Sequence, residues 1–304
     1  MLSDAEADAR FEAHIGPVRD ALARLLEVSE DLRVSRGSRA DADSRAMADL
    51  AQEAEFAGGA PWGDQPVEMA QAHAQTLLYA AMDCATGAVR LLSTDDTPVY
   101  AHIVLARGAL EQAGRAWTLV DPTITVRLRV ARTMNERLFG MAEVERLPFP
   151  TAEKRRVRDR RAALLDIAQH ELDFRKVPAK RYTPPMLDEE RMGQTAVVKE
   201  LFAHGDDPRL GGLLYGYYSA VAHGTTFGLS ESIKAGAPDV PELPGLTRGM
   251  MFTNSTAVVS VLTSMMLGVG AAFRARNQYL GWKSDEWDAA YLGGLRASRR
   301  AYSS

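Results

Sequence analysis

The chain has 304 residues, 46% hydrophobic and 25% charged, enough for one large or two ordinary domains with a full apolar core. Its 36 basic and 40 acidic side chains give a net charge of −4 and a pI near 5.9, which excludes a globally basic nucleic-acid binder. The single cysteine, Cys84, excludes a disulfide framework or a cysteine-built zinc site, and 7% aromatics argue against a broad stacking platform.

The opening MLSDAEADARFEAH is acidic and lacks the basic-then-apolar layout of a secretory signal, so a cytoplasmic protein is the expectation. Phe11, Ile15, Val18, Leu22, Leu25 and Ser29 recur every three or four residues and mark one face of a long first helix. SRGSRADADS, with Gly37, breaks it, and Asp41 or Asp43 offers a cap for a second helix that ends near Gly58-Gly59. Residues 1–56 are therefore expected as an acidic helical hairpin or arm, and 65–304 as the main bundle. A third helix fits 67–92. STDDTP then offers Ser93, Thr94, Asp95 and Asp96 as caps and Pro98 in the first turn of a fourth helix, which Asp121-Pro122 stops. A fifth runs over 123–144 and a sixth over 151–174, separated by LPFP. Further helices are expected over 188–204, 207–222, 247–279 and 285–301, with no persistent strand alternation. The fold expected is all-α, a multi-helix bundle of about nine or ten helices. Its central helix follows from Met250 to Phe273, 24 positions without a charge. That length would allow a membrane span, but seven Ser, Thr and Asn residues interrupt it. It reads as a buried core helix, with no membrane as partner.

Charge is distributed unevenly. Residues 1–64 hold 7 basic against 14 acidic groups and residues 121–181 hold 15 against 9, an acidic start beside a basic middle. Arg127, Arg129, Arg132 and Arg137 precede the run Lys154-Arg155-Arg156-Val157-Arg158-Asp159-Arg160-Arg161. Two basic helices joined at LPFP would form a ridge able to hold phosphates. Arg132, Lys154, Arg155, Arg156 and Arg158 are its candidate nucleic-acid contacts, although such a run is usually a solvated face.

Two segments carry the candidate chemistry. Arg107, Glu111 and Arg115 fall at i, i+4 and i+8 on an otherwise apolar helix, so part of that row is expected to be buried and paired. It reads as a structural ion-pair network or as the floor of an anion site. In the second segment, Ser219 and His223 share a helix face, Gly224 stops the helix, and the carbonyl end of the dipole raises the proton affinity of the imidazole. Tyr215, Tyr218 and Thr225 add hydroxyls nearby; the plain alternative is a histidine that caps its helix. Glu200 and His204 stand at i, i+4 with no second such pair, so no metal is expected, and no cofactor motif is present. His73 and His102 read as satisfied core residues.

The Arg107-to-Glu111 helix, continuing to Trp117 and Asp121, together with the Ser219-to-Gly224 helix end, resembles actinobacterial helical proteins distantly akin to the HEPN superfamily. The likeness covers about residues 70–280. It implies a helical bundle, frequent homodimers and RNA cleavage in toxin or defence systems. The family's arginine four to six positions ahead of the histidine has no counterpart here, where Tyr217, Tyr218 and Ser219 stand, so His223 alone carries over. Three readings follow. One is a ribonuclease with His223 as acid/base, Ser219 orienting it, and Arg107 with Glu111 stabilising an anion. The next is a non-catalytic interaction or regulatory bundle. The last is a small-molecule pocket floored by Arg107, Glu111 and His223 and walled by Tyr218, Met250 and Phe252. RNA or another phosphate-bearing ligand and a homo-oligomer are the expected partners.

Overall fold

The computed structural model describes residues 4–37, 39–94, 99–180, 183–203, 208–225, 228–229, 233–235, 249–251 and 254–303. Among these are eleven helices: α1 (Asp4–Arg36), α2 (Arg45–Leu50), α3 (Glu53–Phe56), α4 (Pro66–Leu91), α5 (Ala101–Val120), α6 (Val126–Arg146), α7 (Thr151–His170), α8 (Gln194–Ala203), α9 (Pro208–Ala222), α10 (Ser255–Leu280) and α11 (Asp285–Ser303). Two short antiparallel pairs accompany them, β1 (Lys176–Val177) with β2 (Met186–Leu187) and β3 (Ile233–Ala235) with β4 (Gly249–Met251). The protein is an all-α, multi-helix bundle, as its periodicity requires.

The helix ends follow local chemistry. Pro66 stands at the first position of α4, and the Glu53 carboxylate accepts hydrogen bonds from Val67 N (2.7 Å) and Glu68 N (2.9 Å), satisfying two donors at its start. The Thr125 hydroxyl accepts from Leu128 N at the start of α6. Of the caps expected before α5, Asp95, Asp96 and Pro98 lie outside the described residues. The helix over 151–174 is shorter than its apolar spacing predicts. It ends at His170, and Asp173 at φ +53° turns the chain so that the Phe174 ring faces Trp62 at 5.6 Å.

The charge-free run is not one element. Gly249–Met251 pairs as a strand, and α10 starts only at Ser255, where the Asn254 side chain accepts from Thr256 N. It then continues through Arg274 and Arg276 until Gly281, at φ +76°, ends it in the left-handed conformation that glycine tolerates best. By length and composition α10 could cross a membrane, yet most of it is buried inside the bundle. Two of its hydroxyls bond within the protein: Ser260 donates to Thr256 O, and Ser264 donates to Val261 O and stands 2.8 Å from the Tyr218 hydroxyl.

Around α10 the main core collects α1, α4, α5, α8, α9 and α11. The stripe Ile15, Val18, Leu22 and Leu25 is completely buried there, so α1 does not stand apart as an arm. The reason is packing: α1 lies along α10 and α11, and His14 bridges them, Nδ1 to Ser255 Oγ and Nε2 to Ala301 O, both at 2.8 Å. A second, smaller core joins α6 and α7 to Phe56, Trp62, Val67, Phe174 and Leu187. The second core thus draws Phe56, Trp62 and Val67 onto the α6–α7 hairpin.

Candidate functional site

The row on α5 is partly buried and paired, as its apolar flanks demand. Arg107 Nη2 lies 3.0 Å from Glu111 Oε1, with both side chains less than one-fifth exposed. Tyr215 of α9 closes the pair: its hydroxyl donates to Glu111, accepts from Arg107 at 3.5 Å, and stands 3.2 Å from the Gln194 amide oxygen at the start of α8. Burial, then the bond to Glu111, pushes the Tyr215 phenol above its ordinary range, so it stays protonated as a donor. The neighbouring Cys84 thiol is also pushed up, first by burial and then by Asp83 and Glu111, which leaves it a poor nucleophile.

One turn further, Arg115 enters a second polar cluster. Its Nη2 lies 2.6 Å from Glu136 Oε2, and Arg191 Nε lies 3.2 Å from Glu136 Oε1. Arg132 Nε lies 2.7 Å from Glu189 Oε1, while its Nη1 donates to Thr118 O. Asn135 holds β2 by a reciprocal pair of bonds with the Leu187 backbone. The cavity among these groups is about 30 Å³, room for one water. His73 faces the cluster, and its pKa is lowered by burial first and by Arg115 second, which keeps the imidazole neutral.

The predicted catalytic set does not converge. Arg107 and Glu111 meet Tyr215, whereas His223 stands eight residues after Tyr215, about 12 Å further along the helix axis. Gly224 at φ +64° ends the helix where its sequence position predicts. The imidazole is exposed at that end, and among the described residues its ring has no hydrogen-bond partner. Ser219 is half-buried one turn earlier; its side chain and that of His223 make no bond to each other. Met250 belongs to β4 and Phe252 lies outside the described residues, as does His204 of the Glu200–His204 pair.

The expected two-helix ridge is reduced to one helix, because Arg127, Arg129, Arg132 and Arg137 of α6 are engaged by acceptors elsewhere in the protein. Arg129 is 1% exposed: its Nε lies 3.0 Å from Asp49 Oδ2, and its other nitrogens donate to the carbonyls of Leu119 and Asp121. Arg127 pairs with Asp188 at 2.8 Å, Arg137 donates to the carbonyls of Pro61 and Trp62, and Arg132 is committed to Glu189. On α7 the reverse holds. The Arg155 side chain is 82% exposed with Asp159 at 4.0 Å, Arg156 is exposed, Lys154 is half-exposed, and Arg158 is 64% exposed at 3.2 Å from Glu145. At the hairpin tip Leu147 (49%) and Phe149 (41%) are exposed.

Charge spacing could not separate the two helices, since the carboxylates and carbonyls that engage Arg127, Arg129, Arg132 and Arg137 come mostly from distant segments. Tyr215 was visible in the sequence only as a nearby hydroxyl. Glu136 stood in the sequence only as an acid among the arginines at 127–137, and Arg191 and Gln194 carried no local signal. Compared with known protein families, curated proteins and solved structures, the chain matches none.

Proposed function

We propose that this chain is a nucleic-acid-contacting helical bundle that binds through the α6–α7 hairpin, with RNA as the first candidate ligand. One observation carries the reading: the hairpin exposes Leu147 and Phe149 at its tip and Arg155, Arg156 and Arg158 on the helix that follows. Single strands bind through such a combination, because cations follow the phosphates while an aromatic or apolar side chain stacks on unpaired bases. Arg132, engaged with Glu189, supports the scaffold in this reading instead of touching the ligand. A cytoplasmic location and assembly with further copies belong to the same proposal.

Fluorescence anisotropy with a labelled single-stranded RNA tests it. Binding should weaken steeply between 50 and 200 mM salt. The triple reversal Arg155→Glu, Arg156→Glu and Arg158→Glu should abolish it with thermal stability retained. Phe149→Ala should cost about 1–3 kcal/mol, the worth of one stacked base. Salt-independent affinity, or unchanged binding by the triple variant, would overturn the proposal.

A second reading, ribonucleolysis by His223, is favoured by the exposure of that imidazole at the carboxyl end of α9, where a polymer can reach it. His223→Ala should then end cleavage without shifting the melting temperature. Arg107 and Glu111, closed on Tyr215, act in that reading as the support that positions α9.

A further inference from the structure

A cavity of about 320 Å³ lies between the end of α5, α8, α9, α10 and α11, away from the hairpin and from the α5 polar row. That volume falls at the lower end of the range of small-molecule sites. Trp117, Phe202, Leu267 and Tyr291 supply apolar walls, and Asp121, Thr123, Arg274 and Gln278 are its polar lining. The wall at Tyr291 depends on Gly270. A methyl group there would sit 2.2 Å from the ring, so only glycine lets the phenol lie flat on α10, where it also stacks on Trp287 at 5.4 Å.

The charges in the lining are not equivalent. Asp121 Oδ1 accepts from Thr123 N at 2.8 Å and Thr123 Oγ1 at 2.7 Å, so this carboxylate is held in its own turn. Arg274 has no carboxylate within ion-pair distance among the described residues, and its guanidinium rests on the Tyr291 ring at 4.6 Å from the centroid. Arg274 and Gln278 also line an adjoining, more open cavity with Lys283, Asp285 and Asp288. The unpaired cation thus stands where an apolar chamber meets a solvated groove. An apolar body in the chamber, with an anionic head on Arg274 and a hydrogen bond from Gln278, satisfies both halves. A planar carboxylate matches the guanidinium fork in two parallel bonds.

We propose that this cavity binds a small apolar carboxylic acid, its hydrocarbon or aromatic part enclosed by Trp117, Phe202 and Tyr291 and its carboxylate on Arg274. The site is independent of the RNA reading and stands or falls alone.

Isothermal titration of the full chain with octanoate, 3-phenylpropionate and indole-3-acetate, each beside its uncharged amide, tests the assignment. At least one acid should bind ten-fold or more tightly than its amide. Arg274→Gln should bring that acid down to the affinity of the amide, which itself is unchanged. Ala271→Leu, placed in the lining to fill the chamber, should abolish both, with thermal melts confirming that each variant is folded. Equal affinity of acid and amide, an acid preference that survives Arg274→Gln, or no binding by any of the six compounds at millimolar concentration would overturn it.

Discussion

Asp49 is fully buried; its Oδ2 accepts from Arg129 Nε at 3.0 Å and from the Tyr279 hydroxyl at 3.1 Å, and Arg45 Nε lies 2.9 Å from its Oδ1 as an ion pair. The Arg129 guanidinium also lies over the Tyr279 ring at 4.1 Å, so α2, α6 and α10 meet at one charge pair. Removing one partner leaves the other buried and uncompensated. Asp49→Ala should lower unfolding free energy by about 3–5 kcal/mol, read from urea midpoints. Adding Arg129→Met should recover part of that loss; a double variant as unstable as the sum of the singles would contradict the pairing. His73 gives a pH signature. Its folded-state pKa lies below the ordinary 6.5, so between those values the unfolded chain binds more protons and stability falls as pH drops through 6.5. His73→Gln should flatten the decline in urea midpoint between pH 7.5 and 5.5, and an unchanged slope would place the loss elsewhere. At this scale the sequence was least legible. Arg127, Arg129, Arg132 and Arg137 read as an exposed ridge because their acceptors, Asp188, Asp49, Glu189 and the carbonyls of Pro61 and Trp62, are brought in by tertiary folding from distant segments.

Elements were far more legible than sites. The stripe from Phe11 to Ser29, the stops at Gly37 and Gly224 and the partly buried Arg107–Glu111 row can be read from spacing, because helix periodicity and glycine conformation are local properties. The strand at Gly249–Met251 could not, since hydrophobicity without alternation fits helix and strand alike. Close contacts between elements were equally hidden: Gly270 in α10 and Gly114 in α5 look like weak helix positions. They are where Tyr291 and Val197 approach too closely for a methyl group. Gly270→Ala should therefore destabilise by about 1–3 kcal/mol through overpacking, despite the better helix propensity of alanine. Far-UV dichroism melts would show this, and a stabilised variant would mean that Tyr291 can move aside.

The bundle should unfold as one body at its main core. Ile15, Val18, Leu22 and Leu25 are shared with α10 and α11, and the buried Asp49–Arg129 pair connects that core to the smaller one. Cleavage by trypsin after Arg19, whose side chain is only 13% exposed, should follow the global transition measured by tryptophan fluorescence. Early release of residues 1–36 would instead identify a detachable arm. The bridge from His14 to Ala301 has a topological consequence. The first described residue, Asp4, is ten helical positions before His14, about 15 Å away, and Ala301 is two residues before Ser303. A linker of about six to eight residues spans that gap. A version in which Ser303 is joined to Asp4 through such a linker and the chain is opened in the exposed turn at Leu147–Pro150 should keep the bundle, with an unchanged far-UV dichroism spectrum.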